Sequence, residues 1–183
     1  MEGKPGMTRL RYYFDTEFIE DGRTIDLISI GIVCEDDREL YLCNQEAELD
    51  RSGDWVRAHV LPQLPLYGHP AWRSRKQMAE DIRQFVSPSA EHKPEFWAYY
   101  ADYDWVALCQ LYGTMMDLPK HFPRFCMDLK QLARTVGNPD LPKQKSGEHN
   151  ALEDARWVRK THRYLIVLEQ QGQMLAESPR AGR

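Results

Sequence analysis

Apolar and polar positions repeat along this chain with two periods. Short runs rich in aromatic and β-branched residues predict strands, and stripes repeating at three and four residues predict helices. Leu10-Arg11-Tyr12-Tyr13-Phe14 is the first strand-like run. Glu20-Asp21-Gly22-Arg23 is a turn signal, so this strand is expected to form a hairpin with the next. Residues 25–33 are almost wholly apolar, as expected of a strand covered on both faces. Residues 39–43 predict a third strand. Residues 46–64 are helical in part, with Trp55, Val56, Val60 and Leu61 as their apolar positions. Pro62, Pro65 and Pro70 then break the pattern and predict a crossover loop. Ser74 opens a helix in which Met78, Ile82, Phe85 and Val86 form a buried stripe.

A fourth strand over 95–99 leads into a short amphipathic helix with Trp105, Val106, Leu108, Cys109 and Tyr112. Residues 124–127 predict a short fifth strand, and Leu129, Leu132, Ala133 and Val136 another helical stripe. The last helix is expected over about 150–170, with Ala151, Ala155, Val158, His162 and Leu165 on one side. Strands first and helix–strand alternation later specify an α/β protein, a mixed sheet of about five strands with helices packed on it. A single domain is expected over residues 8–171, with 1–7 and 172–183 as flexible ends.

Composition narrows the partners. The net charge of −4 argues against a protein that coats nucleic acid through bulk positive charge. It leaves room for an enzyme that grips one end of a strand. Cys34, Cys43, Cys109 and Cys126 show no Cys-x-x-Cys spacing, so no zinc site is read. They read as reduced thiols, three of them in apolar runs. With no membrane-length apolar stretch, this favours a cytoplasmic setting and no membrane partner. Arg73, Arg75 and Lys76 read as a solvated helix start, with guidance of an RNA backbone as the alternative.

Chemistry concentrates in three places. Asp15 and Glu17 lie two apart at a strand end, so both carboxylates project from one face. Oxygen ligands of this kind suit Mg²⁺ or Mn²⁺; the plain alternative is two solvated acids. His149 precedes the last helix and Asp154 follows five residues later. Five helical residues turn a side chain by about 140°, so the two converge only if His149 lies in or before the first turn. Asp102 and Asp104 sit where the fourth strand turns into its helix. One is placed to face the sheet end, and the other to cap the helix.

These pieces, in this order, resemble the DEDDh family of 3′–5′ exonucleases, in the RNase H-like class. Asp15 and Glu17 match its Asp-x-Glu, Tyr103-Asp104 its second motif, and His149 and Asp154 its His-x-x-x-x-Asp. Asp104 therefore takes precedence over Asp102. Tyr100 departs from the pattern, since many members carry Asn there. The resemblance spans about residues 9–169. It implies two Mg²⁺ ions per site, with Mn²⁺ as a substitute, held by Asp15, Glu17, Asp104 and Asp154. Such pairs sit about 3.5–4 Å apart around a scissile phosphate. It implies that His149 is the general base and that Phe18 stacks on the terminal base. The expected partners are the 3′ end of single-stranded RNA and a second copy in a homodimer. Within the family, the chain is most similar to small actinobacterial-type exoribonucleases that trim adenylate-rich RNA, and adenine preference comes only with that narrower likeness. The competing readings are a DNA-directed 3′–5′ exonuclease and a catalytically silent RNA-binding module. Trp55, Trp72, Trp97 and Trp157 read as core, and His59, His69, His92, His121 and His162 as ordinary histidines.

Overall fold

The computed structural model describes residues 8–86 and 92–177. One mixed sheet contains β1 (Thr8–Glu20), β2 (Ile25–Cys34), β3 (Glu39–Asn44), β4 (Trp72–Arg73), β5 (His92–Ala98) and β6 (Met127–Asp128). Around it lie α1 (Asp54–His59), α2 (Arg75–Phe85), α3 (Asp102–Gln110), α4 (Leu129–Thr135) and α5 (Ala151–Glu177). The strand order is β4-β3-β2-β1-β5-β6. β1, β2 and β3 form an antiparallel meander, and β5 lies parallel to β1 on its other edge.

Side-chain alternation divides β1 between two cores. Tyr12 and Phe14, with Ile30 and Ile32 of β2, pack against Met78 and Ile82 of α2 and Leu108 of α3. Tyr13 points the other way, with Trp97 of β5, toward Leu129 of α4 and Val158 and Leu165 of α5. Each such side chain, fully buried, contributes about 1.5–3 kcal/mol. By the same alternation Asp15 and Glu17 share the face of Tyr13, the face that α5 covers. Arg156 fastens α5 to Glu39 of β3, and Arg159 bonds the Cys34 carbonyl and Asp37.

Several expectations shift in detail. β4 lies in the segment read as a crossover loop; two residues are too few to show a period. The strand expected at 95–99 spans His92–Ala98, and that expected at 124–127 is Met127–Asp128. α5 continues to Glu177, past residue 170 and into the segment read as a flexible end. Gln173, Met174, Leu175 and Ala176 are good helix formers, and one Gly, costing about 1 kcal/mol, does not stop them. Residues 1–7 and 178–183, also read as flexible, lie outside the described residues. Arg73 and Arg75 are half-buried and paired with Asp81 and Asp26, so the helix start is not a free basic surface. All four cysteines are free, Cys34 and Cys43 buried. His162 is buried, its Nδ1 3.1 Å from the Tyr13 hydroxyl. No helix among the described residues is long and apolar enough to cross a membrane.

Candidate active site

Three chain segments meet at one end of the sheet. β1 delivers Asp15 and Glu17, and its register with β2 shifts between Glu17 and Phe18. α3 delivers Asp104 from its first turn. α5 delivers Asp154 from its own first turn, with His149 just ahead of it. These five residues and Phe18 line one cleft of about 520 Å³. A ligand atom from each of Glu17, His149 and Asp154 lies within 4.8 Å of the others. Asp102 is exposed, and the N-cap of α3, Ala101, has no side-chain cap. Asp104 lines the cleft, and Asp102 is not among its lining residues.

Close approach of α5 to the sheet makes the convergence. Gly31 lies opposite Asp15 in the β1–β2 register. A Cβ at Gly31 would sit 2.3 Å from the Ala151 carbonyl oxygen, so only glycine admits the helix start there. Asn150 caps α5 by accepting from the backbone N–H groups of Leu152 and Glu153. His149 stands before the helix with φ 68°, the left-handed region, and its N–H donates to Asp154 Oδ2 at 2.9 Å. Gln144 donates to the other oxygen, Oδ1, at 2.6 Å. The Trp157 indole donates to the Pro142 carbonyl at 2.6 Å and holds the same loop. Asp104 is held as firmly, its Oδ1 accepting from the Thr16 N–H at 2.9 Å and the Thr16 hydroxyl at 2.5 Å.

Burial and mutual repulsion push these carboxyls upward. Asp15 lies well above the usual aspartate range through burial, then through the charges of Asp104, Asp154 and Glu17. Glu17 is pushed up to about 8 by burial and by Asp154 and Asp104. Burial also raises Asp104, with the Thr16 bonds pulling it back. Asp154 is raised by burial, against the bonds from Gln144 and His149. Among the described residues no Lys or Arg lines this cleft, and Lys143 lines the adjoining cavity that shares Asp15, His149 and Asp154. Four crowded acids fit hard divalent cations, the donor set being carboxylate oxygens.

The aromatic lining is where sequence reasoning fell short. Phe18 is half-buried and stacks on Tyr103, with ring centroids 5.8 Å apart and planes 8° apart. Trp55, read as core, is 53% exposed and lines the cleft. It meets the His149 ring at 4.7 Å. His59, read as ordinary, stacks on Trp55 at 4.9 Å. A tryptophan and histidine four apart on a short helix is the signal that was available. Gly31 inside an apolar strand run was another, since such a glycine marks close backbone approach. Gln144 and Thr16 carried no sequence signal. Tyr100 is exposed on the cleft with φ 57°, a backbone that Asn tolerates and an aromatic residue rarely adopts.

Known proteins share both sequence and fold with this chain. Residues 10–166 match the family model for the 3′-5′ exoribonuclease Rv2179c-like domain. Two curated relatives are the 3′-5′ exoribonucleases Rv2179c and MT2234.1 of Mycobacterium tuberculosis, strains H37Rv and CDC 1551. Each is 49% identical over 147 residues, which is 80% of this chain and 88% of theirs. Among solved structures, S. pombe Pop2p in its Mg²⁺- and Mn²⁺-bound form gives a TM-score of 0.52 at 13% identity, over 86% of this chain and 82% of that one. Cell-death related nuclease 4 gives 0.50 at 12% identity, over 88% and 65%. At these identities the likeness is one of fold, and it is the RNase H-like fold of nucleases. The chain belongs to the Rv2179c-like 3′-5′ exoribonuclease domain family.

Proposed function

We propose that this protein is a divalent-metal-dependent 3′–5′ exoribonuclease that releases nucleoside 5′-monophosphates from single-stranded RNA and favours adenylate-rich 3′ ends. One observation carries the reading. Asp15, Glu17, Asp104 and Asp154 converge with His149 in one cleft. Asp15, Glu17, Asp104 and Asp154 would hold two Mg²⁺ ions, with Mn²⁺ as a substitute. When bound, such ions lower the pKa of the attacking water and stabilise the leaving 3′ oxygen.

The chain's own residues supply the rest. His149 takes the proton from the attacking water as the water oxygen bonds to phosphorus. The bond from phosphorus to the 3′ oxygen of the preceding nucleotide then breaks. Imidazole is the side chain most often used to move a proton in this way. Thr16, Gln144 and the His149 N–H orient the acids before substrate arrives. Phe18, backed by Tyr103, offers a stacking face for the terminal base, an interaction worth about 1–3 kcal/mol per base. Stacking tolerates every base, so adenine preference rests on the family likeness.

Direction and sugar preference follow the same route. The exoribonucleases at 49% identity support RNA over DNA, and a 2′-hydroxyl is what lets a site tell the two apart. A homodimer in the cytoplasm completes the reading, supported by the family likeness and by four unbridged thiols. Time courses on 5′-labelled homopolymers of the four ribonucleotides, with deoxyadenylate in parallel, test the substrate. The expected order is polyadenylate first and deoxyadenylate last. Equal rates on deoxyadenylate would favour a DNA-directed exonuclease. Equal rates on all four RNAs would keep the exoribonuclease and remove the adenine preference. Light scattering tests the dimer.

A further inference from the structure

We propose that Trp55 is a positioning residue for His149, setting the direction in which the imidazole faces the acids. The proposal rests on the reading of His149 as the general base. The backbone N–H of His149 donates to Asp154, but its imidazole makes no hydrogen bond among the described residues. The residue stands at φ 68° on an irregular approach to α5, so regular helix geometry does not fix its side chain either.

Ring packing is what remains. The Trp55 indole meets the imidazole with centroids 4.7 Å apart and planes 80° apart. His59 stands behind it, 5.9 Å from His149. Trp55 is itself braced. It stacks on His59 at 4.9 Å and 25°, and His59 Nδ1 donates to the Trp55 carbonyl oxygen at 2.9 Å. The next residue, Val56, anchors α1 in a small core with Ile19, Ile28 and Val60. The Trp55 indole meets only the His59 and His149 rings and makes no hydrogen bond among the described residues, and at 53% exposed it has a limited structural task. The imidazole that this ring meets is the one whose nitrogen lies within 4.8 Å of a carboxylate oxygen of Glu17 and of Asp154.

Without the indole, the imidazole is free to sample its staggered rotamers and its loop to drift. Misplacement of a reacting group by about 1 Å costs up to about 100-fold. Trp55→Ala should therefore lower kcat by about 10- to 100-fold while KM stays within a factor of about two. Trp55→Phe should recover most of the loss, because it keeps an aromatic face against His149.

Steady-state rates on 5′-labelled single-stranded RNA with Mg²⁺, for the full chain, Trp55→Ala, Trp55→Phe, His149→Ala and the Trp55→Ala/His149→Ala double variant, test this alongside Tm for each. The expected result is no further loss of kcat when Trp55→Ala is added to His149→Ala. Losses that multiply in the double variant would overturn the proposal. So would a rise in KM at unchanged kcat, which would make Trp55 a substrate platform. So would a kcat loss that follows a fall in Tm and is not recovered by Trp55→Phe. If His149→Ala alone turns over normally, the base assignment itself has failed, and any effect of Trp55→Ala then runs through another group.

Discussion

Asp15 on β1 lies directly opposite Gly31 on β2, and the first turn of α5 rests on that glycine. A single hydrogen at position 31 therefore decides how near Asp154 and His149 come to the strand acids. Gly31→Ala would put a methyl group 2.3–2.4 Å from the backbone of Ala151 and Leu152. Backbone cannot swing aside as a side chain does, so α5 must lift. Overpacking of this kind costs about 1–3 kcal/mol. The expected outcome is a lower Tm together with a loss of turnover larger than the unfolded fraction explains. Parental activity in a folded Gly31→Ala would show that α5 has room the geometry denies.

Gln144 hydrogen-bonds Asp154 and, among the described residues, no other acid of the cluster. It fixes one carboxylate oxygen while the His149 N–H fixes the other. Partners of metal ligands typically tune affinity by about 10–100-fold. Gln144→Ala is expected to weaken Mn²⁺ binding by about tenfold, read by calorimetric titration, with kcat near parental once metal saturates. Unchanged affinity would remove Gln144 from the account.

The crowded acids also set a pH dependence. Glu17 is pushed up to about 8 from its ordinary 4.5, chiefly by burial. Between those values the folded chain keeps a proton that the unfolded chain releases. Metal-free stability is thus fully present below the ordinary carboxylate range and is lost as pH rises toward about 8. Divalent cations would reverse the effect by replacing the proton. In chelator, Tm should fall as pH rises from about 5.5 to about 8, and added Mg²⁺ should raise Tm more at about pH 8 than at about pH 6. A Tm response to Mg²⁺ that is independent of pH would contradict a cluster held apart by charge.

The sequence carried the strands and the acids better than it carried their surroundings. Long runs such as β2 announce themselves through composition, and Asp15 and Glu17 through the period of two. β4 was invisible because two residues have no period. The reach of α5 to Glu177 was hidden by Gly172, whose local cost the helix absorbs. The three motifs gave Asp104, His149 and Asp154 through their order, since nothing local brings residues 15, 104 and 154 together. Trp55 was misplaced because an apolar residue on an amphipathic helix reads as core whether it faces the core or a cleft. Thr16 and Gln144 act through hydrogen bonds across 88 and 10 positions, and a linear sequence shows neither.

On the proposed reading, Asp15 and its three partner acids would hold the metals that cleave RNA from its 3′ end. The most direct measurement is product release from 5′-labelled single-stranded RNA by the parental protein and by Asp15→Asn, with Mg²⁺ and with chelator. The account predicts a ladder shortening one nucleotide at a time from the 3′ end, abolished by chelator. Asp15→Asn should slow it at least about a thousandfold, or about 4 kcal/mol of transition-state stabilisation. A folded Asp15→Asn that keeps near-parental turnover, or a ladder that survives the chelator, would contradict it.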